Sequence, residues 1–307
     1  MVGGDPSAMG RPRRLFMSFA NTVVAQVLGL ETSLYHIRAR LQAGTDKEAL
    51  HDLRITLRRL RSLLRPLGGT GEPLIRAASE LGRLAGPARD LEVLAMELQR
   101  RGFLRAGKTR SDERDRRCEN IVTGGNLEQV FIELERWSRN FRKAERNGRL
   151  RYLGGKAACR LHKQFSRLAL ELAERRYDPH RMRILVKRAR YAAEAYPRLS
   201  LVSPELAEAL KRAQTALGDW HDRDQWIQAT AQSRELGPLQ AIWKREAEVA
   251  LNNAEVELLK LSQTLEEHLS PKRKMAMPSS SLIVFRVEGN EQRSLFKLRP
   301  VALAVRT

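Results

Sequence analysis

The sequence is poor in most residues on which catalytic and secreted proteins depend. Cysteine occurs twice in 307 residues, as Cys118 and Cys159. The pair has no metal-ligand spacing, and a chain of this length needs no disulfide framework, so a reducing cytosol is the expected compartment. No apolar run approaches the roughly 18 residues of a membrane span, and no membrane partner is expected. Residues 15–30 are uncharged and follow Arg11, Arg13 and Arg14, as the core of a signal peptide would. Asn21, Thr22 and Gln26 interrupt that stretch, however, and no small-residue cleavage site stands out. Phe16, Phe19, Val23, Val27, Leu30 and Leu34 keep helical spacing and predict an amphipathic helix instead. There is no glycine-rich phosphate loop, no H-E-x-x-H and no G-x-S-x-G, and no catalytic nucleophile is legible. A binding protein without a cofactor is therefore expected rather than an enzyme. Acidic residues are also in deficit: 36 Asp and Glu face 56 Lys and Arg, a formal net charge of +20. Such an excess calls for a polyanionic partner, whether nucleic acid, anionic lipid or a phosphate polymer.

The charge is patterned, and the pattern occurs twice. His51, Arg54, Arg58 and Arg61 lie in HDLRITLRRLR, and His180, Arg183, Lys187 and Arg190 lie in HRMRILVKRAR, 129 residues later. Each is a histidine followed by cations three, seven and ten residues on. On an α-helix those offsets share one face about three turns long. The apolar residues repeat too. Leu53, Leu57, Leu60 and Leu64 match Met182, Val186, Ala189 and Ala193, Ile55 matches Ile184, and Arg59 matches Arg188. The cation stripe lies about 120° round the wheel from the apolar stripe, which puts it at the edge of the core. A lone basic stripe is most simply a solvated face. A duplicated one at a core edge points to an anion held between two helices, with arginine forks chelating phosphate oxygens. Lys187 would act as a more mobile charge, and each histidine as a donor whose charge follows the anion.

A second element follows each row: Gly86-Pro87-Ala88-Arg89-Asp90 and Gly218-Asp219-Trp220-His221-Asp222. Both read as a helix break, then an Asp in the first turn of the next helix, where the helix dipole favours it. Asp90 and Asp222 serve either as plain caps or as carboxylates that orient the groove arginines, with Arg89 and His221 as extra ligands. His221 with Asp219, Asp222 and Asp224 raises a metal site. Carboxylates so close on one stretch do not converge, and no metal is expected. His36, His162 and His268 stand alone and read as ordinary surface or core histidines.

Helical patterns run over 15–43, 46–66, 72–86, 88–101, 112–122, 126–147, 151–176, 179–196, 204–217, 219–236 and 238–269. Asp178-Pro179 and Ser203-Pro204 are cap-plus-proline starts. Gly68-Gly69-Thr70-Gly71 and Gly124-Gly125 are breaks. Residues 1–14 read as a disordered basic leader. Residues 15–269 read as a helical domain with a first half over about 15–110 and a second over about 126–269, joined by a polar stretch at 102–125. Residues 270–307 read as a tail, either a hairpin around Gly289-Asn290 or disordered.

HDLRITLRRLRSLLRPL, GPARDLEVL, HRMRILVKRARYAAEAY and LGDWHDRD resemble the four signature segments of the CHAD domain, the conserved histidine α-helical domain. The resemblance covers about residues 15–269. It implies an all-α fold of two pseudo-symmetric helical bundles around a basic central cavity. It also implies binding of inorganic polyphosphate and, in some members, association with polyphosphate granules. The implied groove residues are His51, Arg54, Arg58, Arg61, His180, Arg183, Lys187 and Arg190, with Tyr191 and Glu194 also fitting the second motif. The glutamate-rich strand of a CYTH triphosphatase domain is missing: Glu133 and Glu135 alternate, but Trp137 stands where a lysine is needed. A stand-alone member is therefore expected. The alternative partner is nucleic acid, for which Tyr191 is the main aromatic near the rows.

Overall fold

The computed structural model describes residues 18–269 other than 45, 47, 175, 176 and 201. Among these residues there are ten α-helices, three short 3-10 turns and no strand, so the all-α class holds. The leader and the tail, with its hairpin, lie outside the described residues.

Helix α1 (Phe19–Ala43) starts on Ser18, whose hydroxyl accepts from Asn21 N, and ends on Gly44 at φ 68°, a left-handed cap that glycine takes without strain. Helix α2 (Ala49–Leu64) carries the first cation row and buries Leu50, Leu53, Leu57, Leu60 and Leu64 along one stripe. Two 3-10 turns (Arg65–Leu67 and Gly69–Gly71) occupy the glycine break that follows.

Helix α3 (Glu72–Arg100) then runs for 29 residues without a stop. The break expected at Gly86-Pro87 does not occur. A proline inside a helix costs about 3 kcal/mol through its missing N–H and its clash with the preceding turn. Next to it, Arg54 Nη1 donates to the carbonyls of Ala85 (3.0 Å) and Gly86 (2.6 Å). Neither is the Arg83 carbonyl that Pro87 leaves without its helical partner, so these bonds tie α2 to α3, and the helix is carried through the proline by the packing of Ala85 and Ala88, both fully buried in the first core. The break expected at Gly218 is absent too, because helix α9 (Pro204–Gln232), also 29 residues, passes straight through it. Asp90 and Asp222 are therefore mid-helix residues and not first-turn caps.

The stretch 102–125, expected as a polar connector, is mostly helix α4 (Leu104–Thr123), folded back on α3. Its composition hides the contact because the approach uses glycine: a Cβ at Gly107 would stand 2.8 Å from Gln99 Cγ and 3.1 Å from the Ala95 carbonyl. Gly124 and Gly125 end it, and α5 (Asn126–Arg146) and α6 (Leu153–Ala173) follow. Helix α7 (Pro179–Ala195) bears the second row. Asp178 caps it by accepting from His180 N and Arg181 N. The single turn α8 (Pro197–Ser200), then α9 and α10 (Gly237–Leu269), complete the bundle.

Three apolar cores hold these helices. The first joins α1, α2, the start of α3, α5 and the start of α6, so α5 packs with elements that precede it by sequence half. The second joins the end of α6 with α7, α9 and α10. The third joins the end of α3, the start of α4 and the α9–α10 turn around Trp226 and Trp243. One order of parts occurs twice: a cation helix (α2, α7), a 29-residue helix bearing the motif Asp (α3, α9), and a neighbour folded back on it (α4, α10). Helix α2 belongs to the first core and α7 mainly to the second, so the two rows meet where those cores adjoin.

Candidate functional site

Helices α2 and α7 lie side by side and run in the same direction. Arg58 on α2 meets Tyr191 on α7, and the Leu63 carbonyl accepts from the Tyr196 hydroxyl just past α7; both contacts span 133 residues. A constant separation is the mark of parallel strands of chain, and it is one helical turn from the 129-residue spacing of the two motifs. The rows are thus brought together in parallel, offset by one turn.

Arg54, Arg58, Arg61, Arg183, Lys187 and Arg190 are all partly buried. Among the described residues, only Arg190 has an acidic partner within 4 Å, Glu194 at 2.9 Å. Neutral groups hold two of the others. Arg54 hooks the α3 carbonyls. Arg58 Nη1 donates to Tyr191 Oη at 2.5 Å, and the Arg58 and Arg190 guanidiniums both lie over the Tyr191 ring, 4.9 and 4.6 Å from its centre. Arg190 Nε also donates to Gln214 Oε1 at 2.9 Å. The Nε atoms of Arg61 and Arg183 are buried with no hydrogen-bond partner, a cost unless something else reaches the guanidinium.

The electrostatics follow. Burial lowers Lys187 to about 7, and Arg183, Arg58 and Arg54 push in the same direction against Asp222. Arg61 falls to about 10 through burial and then through Arg65, Arg58, Arg54 and Arg188. Arg54 and Arg183 are lowered as well, mainly by burial. Tyr191 goes the other way from its burial, which would raise it: Arg58 and Arg190 favour the phenolate and bring its pKa down. Asp90 and Asp222 do join the cluster. Each is raised by desolvation against the pull of nearby cations, Arg54, Arg183 and Lys187 at Asp90, and Arg183 and Lys187 at Asp222. Neither forms an ion pair within 4 Å, so they moderate the repulsion at longer range and do not clamp a guanidinium. Arg89 is turned to the buried Glu92, with which it forms an ion pair.

The histidines separate. His51 is partly buried near the start of α2. His180 leaves the cation stripe at the capped end of α7, with its ring 4.6 Å from Trp220 and 5.6 Å from His221, and its Nε2 is 3.5 Å from Asp224 Oδ2. His180, His221 and Asp224 offer ligand atoms within 4.8 Å of one another, so these three, and not the run of carboxylates, are the residues that can hold a metal. Their surroundings oppose it: burial and then Arg183, Lys187, His180 and Arg54 lower His221 to about 4, and a dication would meet the same repulsion. Two clefts of about 320 and 640 Å³ lie elsewhere, between α9 and α10 and between α3 and α5, and neither is lined by a residue of the rows.

Sequence reasoning missed Arg65 and Arg188. Both are exposed, neither has a salt-bridge partner among the described residues, and both act on Arg61. Arg65 continues the α2 stripe one turn beyond Arg61, but its counterpart 129 residues on is Glu194, which ends the repeat. Arg188 is the counterpart of Arg59.

A model of the CHAD domain matches residues 28–231. Among solved structures, the chain resembles the crystal structure of the CHAD domain from the plant Ricinus communis. The TM-score is 0.61 at 20% identity, over 81% of this chain and 92% of that one, which supports the fold. No curated protein matches. No described helix is long and apolar enough to cross a membrane. With the family model spanning more than half of its residues, the chain belongs to the CHAD domain family.

Proposed function

We propose that this protein binds inorganic polyphosphate along the line where α2 and α7 meet. The observation that carries the reading is the parallel convergence of two cation rows in which five of six cations lack an acidic partner within 4 Å among the described residues. A protein has no structural reason to concentrate uncompensated, partly buried cations, since each raises the cost of the next. A linear polyanion supplies the missing charge along the whole row. The family's link to polyphosphate, noted from the signature segments, favours the same ligand. On this reading the protein is a binder and not an enzyme, it works in the cytosol, and its place on granules follows from the polymer they contain.

Nucleic acid is the less favoured ligand. Base stacking needs an open aromatic face, and Tyr191 is only 6% exposed, with two guanidiniums already over its ring. The test is a titration with long-chain polyphosphate at physiological salt, with duplex DNA as competitor at equal phosphate concentration. Tight binding that DNA does not displace is expected. Equal competition by DNA would reduce the site to non-specific attraction by the +20 charge.

A further inference from the structure

We infer that the phosphate track does not end with the repeated motif but continues past Arg61 onto a second cationic patch formed by Arg65, Arg188 and Arg160. This rests on the polyphosphate reading and adds to it a set of contacts that only a long chain can use.

Three elements converge at this end of the α2–α7 line. Arg65 stands one turn beyond Arg61, on the same face of α2 as it passes into a 3-10 turn. Arg188 comes from the parallel α7, close enough to both that its charge is felt at Arg61 and Arg65. Arg160 comes from α6: its Nη1 donates to the Pro66 carbonyl at 2.7 Å, and its guanidinium lies over Gly68, where a Cβ would stand 2.7 Å from Nη1. Gly68 is at φ 74°; a larger residue there would be strained and would also expel Arg160. None of the three arginines has a carboxylate within salt-bridge distance among the described residues, although ion pairs serve much of the remaining arginine surface, as at Arg136 and Arg139. Between the motif cluster and this patch lies Arg61, whose buried Nε has no partner and whose guanidinium reaches to within 3.8 Å of a Cβ placed on Gly82. The cations thus form one line, Arg54, Arg58, Arg61 and Arg65, flanked by Arg183, Lys187 and then Arg188. From Arg54 to Arg65 the helix advances about 16 Å. An inorganic triphosphate is too short to reach both ends, whereas a long chain of the same chemistry can lie along all of it.

The experiment compares three double variants of the full chain with long-chain polyphosphate and with triphosphate, over a range of salt. Arg65→Ala with Arg188→Ala is expected to lower long-chain affinity by about tenfold. It should also reduce the slope of log K against log salt by about one to two, the loss of two cation contacts. Triphosphate affinity should stay within about twofold. Both positions are exposed, so folding should be unaffected. Arg136→Ala with Arg139→Ala on α5 removes the same charge elsewhere and should leave the slope unchanged; an equal loss there would ascribe the effect to net charge and overturn the patch. Arg54→Ala with Arg183→Ala should weaken both ligands. If that variant loses binding while Arg65→Ala with Arg188→Ala keeps its long-chain affinity and slope, the track stops at Arg61 and the proposed function stands. If Arg54→Ala with Arg183→Ala binds normally, the proposed function and the extended track fall together.

Discussion

Lys187 offers the sharpest test of the site, because its charge depends on whether an anion is present. In the free protein burial and three neighbouring arginines hold it at about 7, against 10.5 for an ordinary lysine. A polyphosphate chain laid between α2 and α7 reverses the arginine field and restores the lysine charge. Binding must then take up protons wherever the free lysine is neutral and the bound one is not. Affinity should be flat below pH 7 and should fall above it, at most about tenfold per pH unit. From pH 7 to pH 9 the loss should be between roughly tenfold and fiftyfold, depending on how far the bound value recovers. Long chains are the right ligand, since their titrating terminal phosphates are few. Calorimetry in buffers of different ionisation enthalpy would count the protons directly. The free protein should behave in the opposite sense. Between pH 7 and 10.5 the unfolded chain binds more protons at this position than the folded one, so Lys187 makes the fold more stable as pH rises, and saturating polyphosphate should cancel that rise. Lys187→Arg keeps a charge at every pH and should flatten the affinity profile. An affinity that does not change between pH 7 and 9, or an unchanged slope in Lys187→Arg, would refute the reasoning.

Other perturbations separate binding from folding. Tyr191→Phe keeps the ring under Arg58 and Arg190 but removes the hydroxyl that accepts from Arg58; polyphosphate affinity should drop by severalfold and stability by about 1 kcal/mol, checked by titration and denaturant melts. Arg54→Met keeps the stem but removes the one nitrogen that donates to both the Ala85 and Gly86 carbonyls, so hydrogen exchange of amides in that turn should speed up, and the slope of log K against log salt should fall by about one. Leu60→Ala, at a fully buried position of the first core, should cost about 2–5 kcal/mol and leave the number of phosphates bound per folded molecule as it was.

The cation rows were legible because both of their signals are local: a leucine stripe that fixes which way α2 faces, and charges at fixed offsets from it. The same locality misled the reading at Pro87 and Gly218. A proline and a glycine mark a stop only if no tertiary packing holds the helix, and the core that closes on Ala85 and Ala88 to either side of Pro87 is built by helices distant in sequence. Helix α4 was legible only over 112–122, and its first turns and its packing on α3 were missed for a related reason. Its contact with α3 depends on Gly107, a residue whose contribution is the space it leaves, and hydrophobic periodicity does not register that. The outward turn of His180 toward Trp220 and Asp224 was out of reach as well, since it depends on how α7 meets α9. Arg65 was within reach but was not singled out, because the repeat ends one turn before it.

The guanidiniums held on Tyr191 and the Arg54 hook also govern how selectively a ligand is taken up. Arginine on a surface samples many rotamers, and fixing one on binding costs about 0.5–1.5 kcal/mol. Three guanidiniums here are already fixed, at positions set by helices and not by the ligand. The molecule therefore behaves as a rigid ruler: it stores its repulsion in advance and should recognise the spacing of charge along a chain more than the amount of charge a partner carries.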